Sequence, residues 1–203
     1  MSRYPIPAAP HRRTDVIQRS RFVTTIERVA TVEEAEASVR RMKAEFPDAS
    51  HNCWAYVVGP PGSTSRVGMS DDGEPHNTAG RPMLTVLLHA GVGDVAAVVT
   101  RWFGGTKLGT GGLVRAYSGC VQEAMKELTL AERVELVRAR VEVDHASVSA
   151  LQRLLPDHEA NVVGQEWGAA AVFELELPVA GVESLRVALA NLTRGRATLT
   201  TDG

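Results

Sequence analysis

The sequence predicts an α+β chain of two domains. Three observations carry that expectation. Strand-like and helix-like stretches alternate along the whole length. After residue 133 the pattern restarts, and six elements follow in the order β-α-β-β-α-β, the ferredoxin-like split motif. The charge is also uneven. Residues 1–130 hold 15 Lys/Arg against 13 Asp/Glu, whereas residues 131–203 hold 7 against 11, which makes the second part acidic. The expected divisions are a basic, flexible head over residues 1–18, a first domain over 19–130 and a second over 134–203.

The head is polar and Pro-rich, and five Arg stand against Asp15 in residues 1–21, so it reads as a solvated tail. Arg21 to Val29 alternates apolar and polar residues and is rich in β-branched ones, which predicts a strand. Thr31 with Glu34 forms a capping box. Ala35, Val39, Met42 and Phe46 then share a helical face until Pro47. Trp54 to Gly59 predicts a strand, Pro60 to Ser65 a turn, and Arg66 to Met69 a hairpin partner. Ser70 to Pro82 has loop chemistry. Met83 to Ala90 predicts a short helix closed by Gly91. The apolar run Asp94 to Arg101 predicts a buried strand, and a Gly-rich loop leads from it into a helix over 113–128. In the second part, strands are expected at 135–144, 161–167, 173–177 and 196–200. Leu151 and Leu155 mark the face of one helix there, and Leu185 and Leu189 that of another.

Composition limits the classes of function. Hydrophobic residues make up 44% and charged residues 23%, the balance of a chain that buries a core. No apolar run reaches the ~18 residues that span a bilayer, and the first residues carry no secretory signal. Two cysteines, Cys53 and Cys120, make no disulfide framework and suit a reducing cytoplasm. A net charge of −2 does not by itself advertise nucleic-acid binding.

The two polar loops carry the chemistry. Five glycines stand in the nine residues Gly104 to Gly112, between a strand and a helix. Glycine lets the backbone approach a ligand closely, and a helix start offers free amides and a positive dipole end to an anion. Gly109, Thr110, Gly111 and Gly112 are the candidate anion seat, with Thr110 as cap. Arg101, Lys107 and Arg115 supply charge. The spacing is neither a P-loop nor a dinucleotide fingerprint. The other loop brings Asp71, Asp72, Glu74 and Arg81, and both loops are expected to converge on one site. Asp71, Asp72, Glu74 and His76, with His51 and Cys53 earlier in the chain, are the types of residue that bind a divalent metal. The plainer reading has Asp71 and Asp72 capping turns and Glu74 pairing with Arg81 or Arg101, so no metal and no cofactor is assigned. Trp102 and Phe103, at a strand end, are candidates for stacking on RNA bases or for a buried hinge. No Gly-X-Ser-X-Gly elbow occurs, Cys120 reads as packing, and no catalytic residue is assigned.

Arg101-Trp102-Phe103-Gly104-Gly105-Thr106-Lys107-Leu108-Gly109-Thr110-Gly111-Gly112-Leu113-Val114-Arg115-Ala116-Tyr117 closely resembles the signature of the Impact family. Ser70 to Pro75 followed by Thr78 to Pro82 resembles that family's other block. His51-x-Cys53-x-Ala55 and Ser20-Arg21-Phe22 resemble two lesser ones. The resemblance covers about residues 20–130, and the remainder is similar to the C-terminal domain of bacterial members. It implies a first domain like the second domain of ribosomal small-subunit protein five. It also implies a second domain like the ferredoxin-like domain five of elongation factor G. Eukaryotic relatives regulate translation by blocking activation of a starvation-responsive kinase. They use an additional N-terminal domain that these 203 residues do not contain, so that pathway does not transfer. Trp102 stands where Tyr is usual, and His76-Asn77 where Gly is common, which Asn tolerates in a left-handed backbone.

The expectation is a cytoplasmic, non-catalytic binding protein that regulates translation through RNA, the ribosome or a translation factor. The alternative is an enzyme or sensor that binds a phosphorylated small molecule at the Gly-rich loop. Neither the sequence nor the resemblance specifies the oligomeric state.

Overall fold

The computed structural model describes residues 3–201, which separate into two compact units, 3–133 and 134–201. Both are mixed α/β. The first is built on a five-stranded antiparallel sheet in the order β2-β3-β6-β4-β5, from strands His11–Ile17 (β2), Ser20–Arg28 (β3), His51–Val57 (β4), Val67–Ser70 (β5) and Val95–Trp102 (β6). Helix Val32–Glu45 (α1) packs on one face. Helices Gly80–His89 (α2) and Gly109–Lys126 (α3) cover the other.

Central β6 decides the layout. It is buried on both faces, which is why its sequence is apolar without alternation. Val95, Ala97 and Val99 enter the main core with Phe22, Ile26, Met83, Leu87 and Tyr117. Ala96 and Val98 join the smaller clusters under α1. At the end of the strand this alternation sends Arg101 and Trp102 to opposite faces. The α1 start is as expected: Thr31 Oγ1 accepts from the Glu34 amide at 3.2 Å, and the Glu34 carboxylate accepts from the Ala30 amide at 2.6 Å.

Residues 3–17 correct the expectation of a loose head; Met1 and Ser2 lie outside the described residues. Arg3–Pro7 (β1) pairs with Leu130–Val134 (β7), and β2 pairs with β3. Gln18 and Arg19 both have positive φ, 45° and 68°, between the paired residues Ile17 and Ser20. That is the geometry of a two-residue hairpin turn, normally made by Asn-Gly. The head's charges are satisfied internally. Arg12 binds Glu45 at 2.5 Å, Arg13 binds Asp15 and Glu127, and Arg3 binds Glu132 at 3.1 Å. Asp94 ties this region together. Its buried carboxylate accepts from Tyr4 Oη at 3.0 Å, from the Gly59 amide at 2.8 Å and from Arg133.

The second unit comprises Leu136–Val143 (β8), Val148–Leu154 (α4), Asn161–Trp167 (β9), Ala171–Pro178 (β10), Val182–Thr193 (α5) and Thr198–Thr201 (β11). The sheet order is β11-β8-β10-β9, all antiparallel. This is the βαββαβ arrangement. Val141, Phe173, Leu175 and Leu177 pack with Leu151, Leu185 and Leu189 of the helices. On the opposite face Arg140 pairs with Glu174 across the ladder, and Arg138 with Glu176.

Candidate functional site

The two loops meet at one cleft of about 430 Å³ in the first unit. It is lined by His51, Gly73, Glu74 and Pro75 around Arg101, and by Phe103, Lys107, Gly109 and Thr110 of the Gly-rich loop. Arg101 and Glu74 form its buried base: Nη1 stands 2.6 Å from Oε1, and the two side chains are 5% and 4% exposed. Tyr117 Oη donates to the same oxygen at 2.8 Å, and Arg101 Nη2 donates to Ser20 Oγ at 3.2 Å. Burial, with Cys53 and Glu74 beside it, pushes the Tyr117 phenol far up, so it remains a donor. Arg101 Nε is buried without a hydrogen-bond partner. Each member comes from a different segment, and β6 brings them together by placing Arg101 on the α3 face.

On the Glu74 side, His51 Nδ1 lies 2.9 Å from the Asp72 carbonyl oxygen, and Nε2 lies 3.9 Å from Glu74 Oε2. A carbonyl only accepts, so Nδ1 carries the hydrogen. Nε2 therefore faces Glu74. The opposite lip is the start of α3. Gly109 has φ 71°, a left-handed backbone that suits glycine. Among the described residues no side chain caps this helix, and its cap position is Leu108. Thr110 is therefore not the expected cap, and the first amides of an 18-residue helix are left without a side-chain partner. A second depression of about 210 Å³ adjoins the cleft, shares Leu108 with it, and is lined by Gln18, Gly112 and Arg115. Among the described residues Lys107, Arg115 and Arg19 make no ion pair. Phe103 is 50% exposed on the cleft rim.

Several expected site residues stand elsewhere. Asp71 does not face Lys107 or Arg101. Its carboxylate accepts from the amides of Asn77, Ala79 and Gly80 at 2.8–2.9 Å and caps α2. Burial raises its pKa, but those amides outweigh it and hold the group below the usual aspartate value. Asp72 accepts from the Asn52 amide at 2.6 Å and pairs with Lys43 at 2.5 Å. Both acids brace the loop, and Asn77 supports it at φ 61°. Gly80 is required because a Cβ there would come 2.8 Å from the Ser70 backbone. Arg81 is exposed near a different depression, with Pro82 and Val114. Trp102 lies on the α1 face, its Nε1 donating to Asp48 at 3.0 Å, its ring 3.7 Å from the Arg21 guanidinium and edge-on to Phe46. It cannot reach the cleft, so of the two stacking candidates only Phe103 remains. No group of three or more His, Cys, Asp or Glu among the described residues is arranged to hold a metal ion, and none of the helices is long and apolar enough to cross a membrane.

Residue type alone points to neither Ser20 nor Tyr117 as a site member, and to His51 only as a candidate metal ligand beside the acids. The signal available was that all three fall inside the blocks that carry the family resemblance.

This combination of a five-stranded first unit with a Gly-rich helix-start cleft and a βαββαβ second unit defines a class. Two family models match the chain: Impact N-terminal domain over residues 18–125, and a domain of unknown function (DUF1949) over residues 141–196. The chain belongs to the Impact family. It is 39% identical over 195 residues to IMPACT family member YigZ of Escherichia coli (strain K12), covering 96% of each chain. It is 35% identical to an IMPACT family member of Haemophilus influenzae, over 97% of this chain and 95% of that one. A solved crystal structure of a hypothetical protein, 38% identical, superposes with a TM-score of 0.71 over 100% of this chain and 98% of the other.

Proposed function

We propose that this chain is a non-catalytic binding protein that holds RNA at the start of α3 and regulates translation through that RNA. One observation carries the reading. Two adjoining depressions flank the start of α3, share Leu108, and present Lys107 and Arg115, cations with no ion partner among the described residues. A chain of phosphates meets consecutive positive points, whereas a single phosphate needs one. The uncapped amides add a fixed partial charge, and exposed Phe103 offers a face to a base. The Arg101 charge is balanced by Glu74, so it shapes the base of the cleft rather than supplying net attraction.

Phosphate contacts release counterions, so affinity for single-stranded RNA should fall steeply with salt. Lys107→Ala and Arg115→Ala should each weaken binding to all sequences alike and flatten the dependence of log K on log salt by roughly 0.7 to 1 per contact. A polarisation titration at several salt concentrations measures this. Absence of affinity for single-stranded RNA, duplex RNA and ribosomes at low salt contradicts the reading.

The size of the cleft supports a second reading. About 430 Å³ lies within the range of small-molecule sites, roughly 300–1,000 Å³. A phosphorylated metabolite would place its phosphate at Gly109 and the rest against Phe103. Tight binding of a free nucleotide with no gain on lengthening to an oligonucleotide would favour it.

A further inference from the structure

We propose that His51 Nε2 and Glu74 Oε2 form a hydroxyl-recognition pair that reads the ribose 2′-hydroxyl of the bound nucleic acid and so selects RNA over DNA. This rests on the reading of the cleft as an RNA site and adds what part of the nucleotide the Glu74 side contacts.

The two atoms stand 3.9 Å apart on the same side of the cleft, too far for a direct hydrogen bond and close enough for one oxygen lying off their line to contact both. Both are fixed by their other contacts. Glu74 Oε1 is already occupied by Arg101 and Tyr117, and its side chain is 4% exposed, so Oε2 is the oxygen left to a ligand. His51 is oriented through Nδ1 by the Asp72 carbonyl, and Gly73 lies against its ring, where a Cβ would come 3.4 Å from Nδ1. Asp72 is itself held by the Asn52 amide and Lys43. The Asp72 carbonyl thus aims His51, and the Asp72 carboxylate, anchored by Asn52 and Lys43, holds that carbonyl in place.

The chemistry of the pair selects the ligand group. A phosphate oxygen only accepts, so the carboxylate repels it. A hydroxyl donates and accepts. It can donate to Nε2 of the neutral ring, or accept from Nε2–H of the charged ring while donating to Oε2. The opposite lip has the reverse preference, since Lys107 and the α3 amides only donate. One cleft therefore offers a phosphate seat and a hydroxyl seat, with Phe103 on the rim for the base. A ribonucleotide carries all three groups, and its 2′-hydroxyl is what distinguishes it from a deoxyribonucleotide.

The test compares oligonucleotides of one sequence and length that differ only at the 2′ position: ribo, deoxy and 2′-O-methyl. Polarisation titrations at fixed low salt use wild type, His51→Ala and Lys107→Ala, each checked by thermal melt. Wild type should bind the ribo form about tenfold more tightly than the deoxy form, the scale of a hydrogen bond to a charged group. The 2′-O-methyl form, which cannot donate, should bind no better than the deoxy form. His51→Ala should shrink the ribo-to-deoxy affinity ratio, whereas Lys107→Ala should weaken both forms alike and keep that ratio. The wild-type series needs no variant to fold. Equal wild-type affinity for ribo and deoxy forms overturns the hydroxyl pair, a base amino group at that seat included, and leaves the phosphate seat standing. No affinity for either overturns both.

Discussion

Replacing Glu74 by Ala leaves Arg101 as an unpaired charge in a site where its side chain is 5% exposed, and removes the acceptor of Tyr117 Oη. Removing one partner of a buried ion pair costs about 3–5 kcal/mol, because the remaining charge is neither solvated nor compensated. For a unit of residues 3–133, about 4 kcal/mol lowers the melting temperature by roughly 15 °C. Urea unfolding of the full chain, followed by tryptophan fluorescence, gives the loss directly, since Trp54 and Trp102 both lie in this unit. Glu74→Gln keeps the shape and an accepting oxygen and should lose less. The double variant Glu74→Leu/Arg101→Met should be more stable than Glu74→Ala alone, because an apolar pair of similar volume carries no stranded charge. A loss below about 1 kcal/mol for Glu74→Ala, or a double variant worse than the single, would refute the buried pair as the base of the cleft.

Asp94→Ala should destabilise by about 3 kcal/mol or more, since it strands Tyr4 Oη, the Gly59 amide and Arg133 together; a melt of the variant checks this. Asp71 has a folded pKa below its ordinary value near 4, so its ionised form stabilises the fold above that pH, and the contribution is lost as pH falls through the lower folded value. Asp71→Asn should accordingly be less stable than wild type at pH 7, with the gap closing below about pH 4 in urea melts. Burial pushes the thiols of Cys53 and Cys120 up to about 12; both should resist iodoacetamide at pH 8 in the native protein and react fully in denaturant. Trp102→Ala should cost about 1–3 kcal/mol through loss of the Phe46 and Arg21 contacts, with RNA affinity intact in the folded fraction.

The sequence speaks most clearly where one principle dominates. Thr31 and Glu34 mark the start of α1 because capping is local. The second unit reads well because β10 alternates Phe173, Leu175 and Leu177 with Glu174 and Glu176, one face buried and one wet. Strands β1, β2 and β7 escape notice for a physical reason. β2 is an edge strand whose polar side chains are only partly covered, and the turn before β3 uses Gln18 and Arg19 where glycine or asparagine is normal. At the site, the meeting of Glu74 with the Gly-rich loop follows from both loops opening at ends of the same sheet. The partition of acids within the first loop is open between two readings, and the plainer one, with Asp71 and Asp72 bracing turns and Glu74 pairing with Arg101, is what the structure has. Whether Asp71 caps α2 or faces Lys107 depends on the exact path of the turn, which Gly73 at φ 87° and Asn77 set. Between the two roles open to Trp102, base stacking and a buried position, one rule decides. Neighbouring residues of a strand point to opposite faces, so Trp102 could not share a cleft with Arg101. The fully apolar β6 conceals which face is which, but not that rule.

The most direct test of the central claim locates the bound RNA. Amide chemical shifts of the ¹⁵N-labelled chain, recorded during titration with a short single-stranded oligoribonucleotide, should move most at Lys107 to Gly112, His51, Glu74 and Phe103, with smaller changes at Gln18, Arg19 and Arg115. Shifts that saturate within residues 134–201, or spread over the surface with the 107–112 amides unmoved, would contradict the assignment of the start of α3 as the RNA site.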